Sequence, residues 1–326
     1  MKLTKTMLAV SAIPLSLAMA GCSHSGTSGP GAGISLVAGD VIAKTADDTA
    51  SNALNDDKTL KADSTTVNAV ALNYADETAA KTKATDFALK KNADGGVDMT
   101  VNGKTVSFAS SDLSSDDDWG KVDNGYHSLS NYTSDSATAA IDGSDQNYFQ
   151  VWGYYTEDGP GSATEGFAVV GAETAPSVVK GHANATYVGE ARAETRLASD
   201  LNEQTTVKGK LTLNADFQQG SVTGTIDNLK GRARGADTGG VWTAYEDAAP
   251  GTSIEMTKAQ ISANGFAGGT LVAHDPGGDI GSLTGSTYSG RFYGPDADQV
   301  AGTMSIQGTG DDGKFVGTGF FAGNKQ

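Results

Sequence analysis

Cysteine is almost missing from this sequence: of 326 residues only Cys22 is one. No disulfide can form within the chain, and no Cys-x-x-Cys metal or redox pair exists in it. Histidine is nearly as scarce. His24, His127, His182 and His274 lie far apart, and none belongs to a His-Glu-x-x-His pattern. Gly-x-Ser-x-Gly is absent too, and the phosphate-cradling P-loop is represented only by "NGKT" (Asn102 to Thr105), which lacks its upstream glycine. These absences predict a chain that is no enzyme and holds no metal. Basic runs are also lacking, and the formal net charge is −16. A surface able to neutralise a phosphate backbone is therefore not expected, which excludes nucleic acid as a partner. Proline is sparse at 7 residues against 43 glycines with no Gly-X-Y period, so a collagen-like chain is excluded as well.

Long hydrophobic runs are confined to the N-terminus. Lys2 and Lys5 precede an apolar stretch from Met7 to Ala20, broken by Pro14, and Ala20-Gly21 leads into Cys22. The stretch is too short to span a bilayer comfortably, and the basic start and small residues mark a processed signal. Small residues before a lone cysteine at this distance resemble the bacterial lipobox. That resemblance implies a signal peptide over 1–21, acylation (palmitate among the acyl chains) of Cys22, and a lipid-anchored mature chain. Ser23 after the cysteine, where Asp would be the inner-membrane pattern, resembles the outer-membrane sorting signal. Cleavage removes Lys2 and Lys5 and takes the formal charge from −16 to −18. Residues 22–33, rich in Ser and Gly, read as a flexible tether.

Glycine is distributed unevenly, 14 residues before position 160 and 29 after it, which suits short strands joined by tight turns in the C-terminal half. In the N-terminal half "GVDMTVNGKTVSF" alternates apolar and polar residues around Asn102-Gly103, a strong hairpin signal because both positions tolerate φ > 0. "NYFQVWGYYT" and "GFAVVGAET" flank the turn-rich "EDGPGSATE" and are expected to pair antiparallel. From about residue 183 the alternation becomes regular. "ATYVGEARAETR" sets Ala185, Tyr187, Gly189, Ala191 and Ala193 on one face and charged residues on the other. The small face predicts a barrel interior and the charged face is expected to meet water. Further expected strands include "TVKGKLTLNADF", "SVTGTIDNL", "VWTAY", "SIEMTKAQISA", "GTLVAH", "SLTGSTYSGRFYG", "QVAGTMSIQG" and "GKFVGTGFFAG". Closing this meander removes its edges, so a barrel is preferred to an open sheet. The predicted fold is all-β: a handle-like antiparallel sheet over 34–175, then an eight-stranded up-and-down antiparallel β-barrel over 176–326.

"GRFYGPDADQVAGTMSIQG", followed by "GKFVGTGFFAG" and preceded by "GAETAPSVVKGHANATYVGEA", resembles the C-terminal barrel of the transferrin-binding protein B family of surface lipoproteins, relatives of which include factor H binding protein and the hemophilin-type haem binders. In that family a Phe-Tyr-Gly-Pro corner leads into a Val-x-Gly-Thr strand, matched here by Phe292 to Pro295 and Val300 to Thr303. The resemblance covers roughly residues 165 to 326. A single handle and barrel departs from the two-lobed transferrin receptor. What the resemblance implies is a non-catalytic outer-membrane lipoprotein, displayed on the cell surface, that binds an extracellular protein or an iron-bearing ligand through loops. Delivery of haem to an outer-membrane transporter is an alternative, and a structural surface lipoprotein is another. No resident cofactor is expected under the first reading. Under the second, haem needs an axial ligand in apolar surroundings, and His127, with Trp119, Tyr126 and Tyr132 near it in sequence, is the candidate; a surface histidine is the plainer alternative for the same residue.

Overall fold

The computed structural model describes residues 66–73, 81–84, 87–91, 97–112, 118–122, 126–132, 148–157, 163–171 and 173–326. The expected signal peptide, the tether, Cys22 and His24 lie outside the described residues. What is described is built almost wholly of antiparallel strands.

The barrel is formed by β10 (Ala185–Leu197), β11 (Asp200–Asp216), β12 (Ser221–Arg234), β14 (Ser253–Ser262), β15 (Gly265–His274), β16 (Thr287–Tyr293), β17 (Gln299–Gly310) and β18 (Gly313–Lys325). Each strand pairs with the next, and β10 pairs with β18 from Tyr187 opposite Lys325 to Leu197 opposite Phe315. That pairing closes eight strands into a ring. A two-residue strand, β13 (Glu246–Asp247), adds to the rim of β12. Alternation places Val300, Met304 and Ile306 of β17 inside, where they join Tyr187, Leu211, Leu213, Met256, Phe266, Tyr288, Phe292 and Phe321. The interior is a packed side-chain core, with Phe292 within 4.9 Å of Phe217 and 5.4 Å of Phe266 between ring centroids.

The handle is two sheets. One has the order β2-β1-β9-β8-β7-β6, from β1 (Thr66–Asn73), β2 (Lys81–Ala84), β6 (Asp118–Val122), β7 (Tyr126–Asn131), β8 (Phe149–Glu157) and β9 (Ala163–Gly171). The other is β3 (Phe87–Lys91), β4 (Val97–Val101) and β5 (Lys104–Phe108), with Asn102 and Gly103 at φ 50° and 79° making the expected hairpin tip. "FQVWGYY" and "GFAVVG" are nearly continuous apolar runs, and the reason is that this sheet is covered on both faces. Trp152, Tyr154, Ala168 and Val170 face the small sheet, packing on Phe87, Leu89, Met99 and Phe108. Phe149, Val151, Phe167 and Val169 face the barrel, packing on Tyr293, Ala301, Phe320 and Ala322. The outward face of β17 and β18 is therefore a buried seam.

Two sequence expectations need correction. "VWTAY" (Val241 to Tyr245) is no barrel strand; it lies in the long connection between β12 and β14. Its rings are held by arginine side chains, a tertiary contact that strand propensity does not register. The charged face of β10 does not simply meet water either, because Arg196 forms a bidentate pair with Glu165 of the handle at 2.9 and 2.8 Å.

Candidate functional site: the loop-bearing rim of the barrel

An up-and-down order sends alternate connections to opposite ends of the barrel. At one end lie the short turns 217–220, 263–264 and 294–298. At the other lie 198–199, 311–312 and the two long connections, 235–252 and 275–286. The two long segments are tied together. The Asp275 carboxylate accepts the backbone N–H groups of Asp279, Ile280 and Gly281 at 2.8, 2.7 and 2.8 Å. Burial pushes its pKa up, but these donors outweigh burial and hold it below the usual carboxylate range. Asp279 in turn accepts the N–H of Ala249 at 2.6 Å, joining one loop to the other. The rim is thus ordered by its own backbone, a preformed surface of the kind on which scaffolded loops carry recognition.

The first long loop folds back over the barrel wall. The Arg232 guanidinium lies 4.5 Å from the Trp242 ring centroid and 4.7 Å from that of Tyr245, Arg234 lies 4.8 Å from Trp242, and the Lys208 ammonium lies 4.3 Å from Tyr245. Val241 at the loop's tip is 68% exposed. Sequence reading missed this cluster. Arg232-Ala233-Arg234 and Lys208-Gly209-Lys210 did carry the i, i+2 signal of a shared face, but only the β11–β12 register brings the two pairs together.

The histidines separate in space. His127 sits on β7 in the handle, opposite Thr156, and is buried with its Nδ1 lacking a hydrogen-bond partner among the described residues. It shares a face with Leu129 of the inter-sheet core. Tyr132, expected near it, belongs to the opposite environment: its ring packs 5.5 Å from Phe167 and 5.8 Å from Phe320, under the Arg192 guanidinium at 4.6 Å. Trp119 and Tyr126 lie on the neighbouring strand and one position before His127, respectively. His182 is at the short-turn end, 3.2 Å from Asp296, which Lys325 also contacts at 3.0 Å. His274 pairs with Glu255 at 3.0 Å on the barrel surface. Among the described residues no group of three metal-ligating side chains comes together.

The "FYGP" corner turns out to be a joint. Tyr293 and Phe292 are both fully buried, Tyr293 against the handle and Phe292 in the barrel core. Thr174 donates from its hydroxyl to the Gly294 carbonyl at 2.7 Å, and Tyr187 donates to the carbonyl of Ala297 at 2.7 Å. Glu173, 2% exposed, meets Arg291 at 3.0 Å and accepts the side-chain amide of Asn264. Burial, with the neighbouring Glu173 charge, raises the Tyr293 phenol well above its ordinary pKa. The corner locks the linker between handle and barrel, leaving recognition to other parts of the surface.

Residues 179–325 match the family model described as the C-lobe and N-lobe beta barrels of Tf-binding protein B. Among solved structures, a mutant transferrin binding protein B from Haemophilus parasuis Hp5 is similar at 15% identity and a TM-score of 0.45, over 80% of this chain and 45% of that one. The isotype 1 transferrin binding protein B from serogroup B Neisseria meningitidis is similar at 16% identity and a TM-score of 0.39, over 80% of this chain and 43% of that one. This chain spans less than half the length of either. No curated protein matches it by sequence.

Proposed function

We propose that the chain, whose residues 179–325 match the family model of the Tf-binding protein B barrels, is a non-catalytic binding protein, anchored to the outer membrane through lipid on Cys22 and displayed at the cell surface. Its partner is an extracellular protein or an iron-bearing ligand, engaged through loops and passed to an outer-membrane transporter where iron is the cargo. The observation that carries this reading is the packed barrel interior. A core filled by aromatic and aliphatic side chains leaves the preformed rim as the surface for recognition, and the handle braces the scaffold behind it. Protease added to intact cells is expected to remove the mature chain. Immobilised protein is then expected to retain a host-fluid component that a variant with residues 275–286 replaced by a short Gly-Ser turn does not retain. Digestion only after lysis, or equal retention by the loop variant, overturns the reading.

One observation favours a second reading, haem capture. His127 offers a buried ring nitrogen without a partner among the described residues, on a face that also carries Trp152 and Tyr154. When bound, haem would supply the iron and take an imidazole from the chain. Titration with hemin is expected to give a Soret shift that His127→Ala abolishes; an unshifted spectrum overturns the haem reading.

A further inference from the structure

The outer wall formed by β11 and β12 carries a charge that the rest of the chain does not predict. The register sets Arg234 opposite Gln204, Arg232 opposite Thr206 and Lys230 opposite Lys208, with Lys210 next on the same face of β11. Five cations therefore project from one face of two adjacent strands, in a chain of net charge −16. Carboxylates do stand beside them: Glu190 of β10 lies opposite Lys210 in register. Asp247 pairs with Lys230 at 3.0 Å and Glu203 accepts the N–H of Ala236 at 2.8 Å. Asp227 stands opposite Lys210 in register, and its buried Oδ1 has no hydrogen-bond partner among the described residues. Arg232, Arg234, Lys208 and Lys210 have no carboxylate at ion-pair distance among the described residues.

What holds these groups is aromatic. Trp242 and Tyr245 take Arg232, Arg234 and Lys208 against their rings, and Gln204 accepts the Arg234 Nε–H at 2.8 Å. A ring fixes a planar guanidinium without neutralising it, which leaves its N–H edges arranged to meet a carboxylate in a forked pair. Beneath the stack Thr206 is fully buried although it faces outward, and neither its hydroxyl nor the Arg232 Nε has a hydrogen-bond partner among the described residues.

We propose that this wall is a docking surface for an acidic, extended stretch of a protein partner. Outward residues along a strand repeat every two positions, about 6.8 Å, and side chains on one face of an extended peptide repeat at the same interval. A segment with carboxylates at alternate positions would thus place them over Lys208 and Lys210 or over Arg232 and Arg234. A polyanion with dense charge is disfavoured by the acidic remainder of the molecule, whereas a short acidic segment meets fewer of those charges. The inference rests on the reading of the chain as a protein-binding protein and names one surface and one partner chemistry for it.

The test uses the full mature chain and a labelled peptide of alternating Glu and Ser, followed by fluorescence anisotropy at low and high salt. A Lys-Ser peptide and heparin serve as the other arms. Saturable binding of the Glu-Ser peptide alone is expected, weakening with salt, and falling by about tenfold or more in Arg232→Gln/Arg234→Gln. Because that pair holds both Trp242 and Tyr245, Lys208→Gln/Lys210→Gln, which gives up only the Lys208 contact with Tyr245 and leaves both arginines on the loop, is the second variant, and it is expected to weaken binding in the same direction. No saturable binding, binding by both double variants as tight as that of the parent chain, or binding of heparin without the peptide overturns the proposal. The rim-loop experiment reads the general binding function separately, so the wall can fail while that function stands.

Discussion

At Gly290 a single added methyl would lie 2.6 Å from the Phe266 ring, 2.8 Å from the Ala301 carbonyl oxygen and 2.9 Å from the Phe321 ring. The glycine there is a packing requirement, set by aromatic side chains from β15 and β18 and by the backbone of β17. Gly290→Ala is expected to destabilise by about 1–3 kcal/mol, the usual cost of overpacking, measurable as a lower urea midpoint with an unchanged slope. Asp275 makes a different demand. Its pKa is depressed in the folded chain, so its contribution is present above the unfolded carboxylate pKa and is lost as pH falls through the lower folded value. Asp275→Asn is therefore expected to cost about 1–2 kcal/mol at neutral pH. The gap between variant and parent should narrow as the solution is acidified below about pH 4. A gap that stays constant with pH would assign the loss to geometry alone.

Among the strands, the seam between handle and barrel decides what the two parts can do independently. Phe320 lies on the outer side of β18 with its ring centroid 5.2 Å from that of Phe167 on β9. Phe320→Ala should leave the barrel core intact while opening the seam, at about 3–5 kcal/mol by analogy with other buried phenylalanines. The expected signature is a split of one thermal transition into two by calorimetry, the handle melting first; a single shifted transition would mean that the parts remain coupled without this ring. The sequence made several of these elements readable. The alternation of Val300, Met304 and Ile306 named the inner face of β17, and Asn102-Gly103 named the β4–β5 hairpin of the handle, because both signals are local. The opposite face of β17 was not readable in the same way: Ala301 and Thr303 look like solvent-facing residues until the handle covers them. "VWTAY" misled for a related reason, since β-branched and aromatic residues satisfy strand propensity and cation stacking alike.

Across the whole molecule, the proposed anchor and the proposed recognition surfaces stand on different footing. Cys22→Ser is expected to abolish incorporation of labelled palmitate and to shift the mature chain from the membrane to the soluble fraction; retention in the membrane would point to attachment by other means. The barrel was legible in its regular alternation and frequent glycines, and the "FYGP" corner through its resemblance to a family motif, whereas the corner's role as a joint with the handle depends on contacts made far apart in sequence. Binding surfaces were less legible. His127 drew attention as a rare residue type, whereas the wall of Lys208, Arg232 and Trp242 needed the register of β11 on β12 and a loop folded back across it. Closure itself has a kinetic consequence. The ring is sealed by β10 meeting β18, so the first barrel strand cannot find its second neighbour until the last has been made. High contact order of this kind slows folding of all-β chains into the range of milliseconds to seconds. An incomplete barrel would expose two unpaired strand edges during that interval, so deletion of β18 should convert the closed barrel into a species that aggregates through those edges.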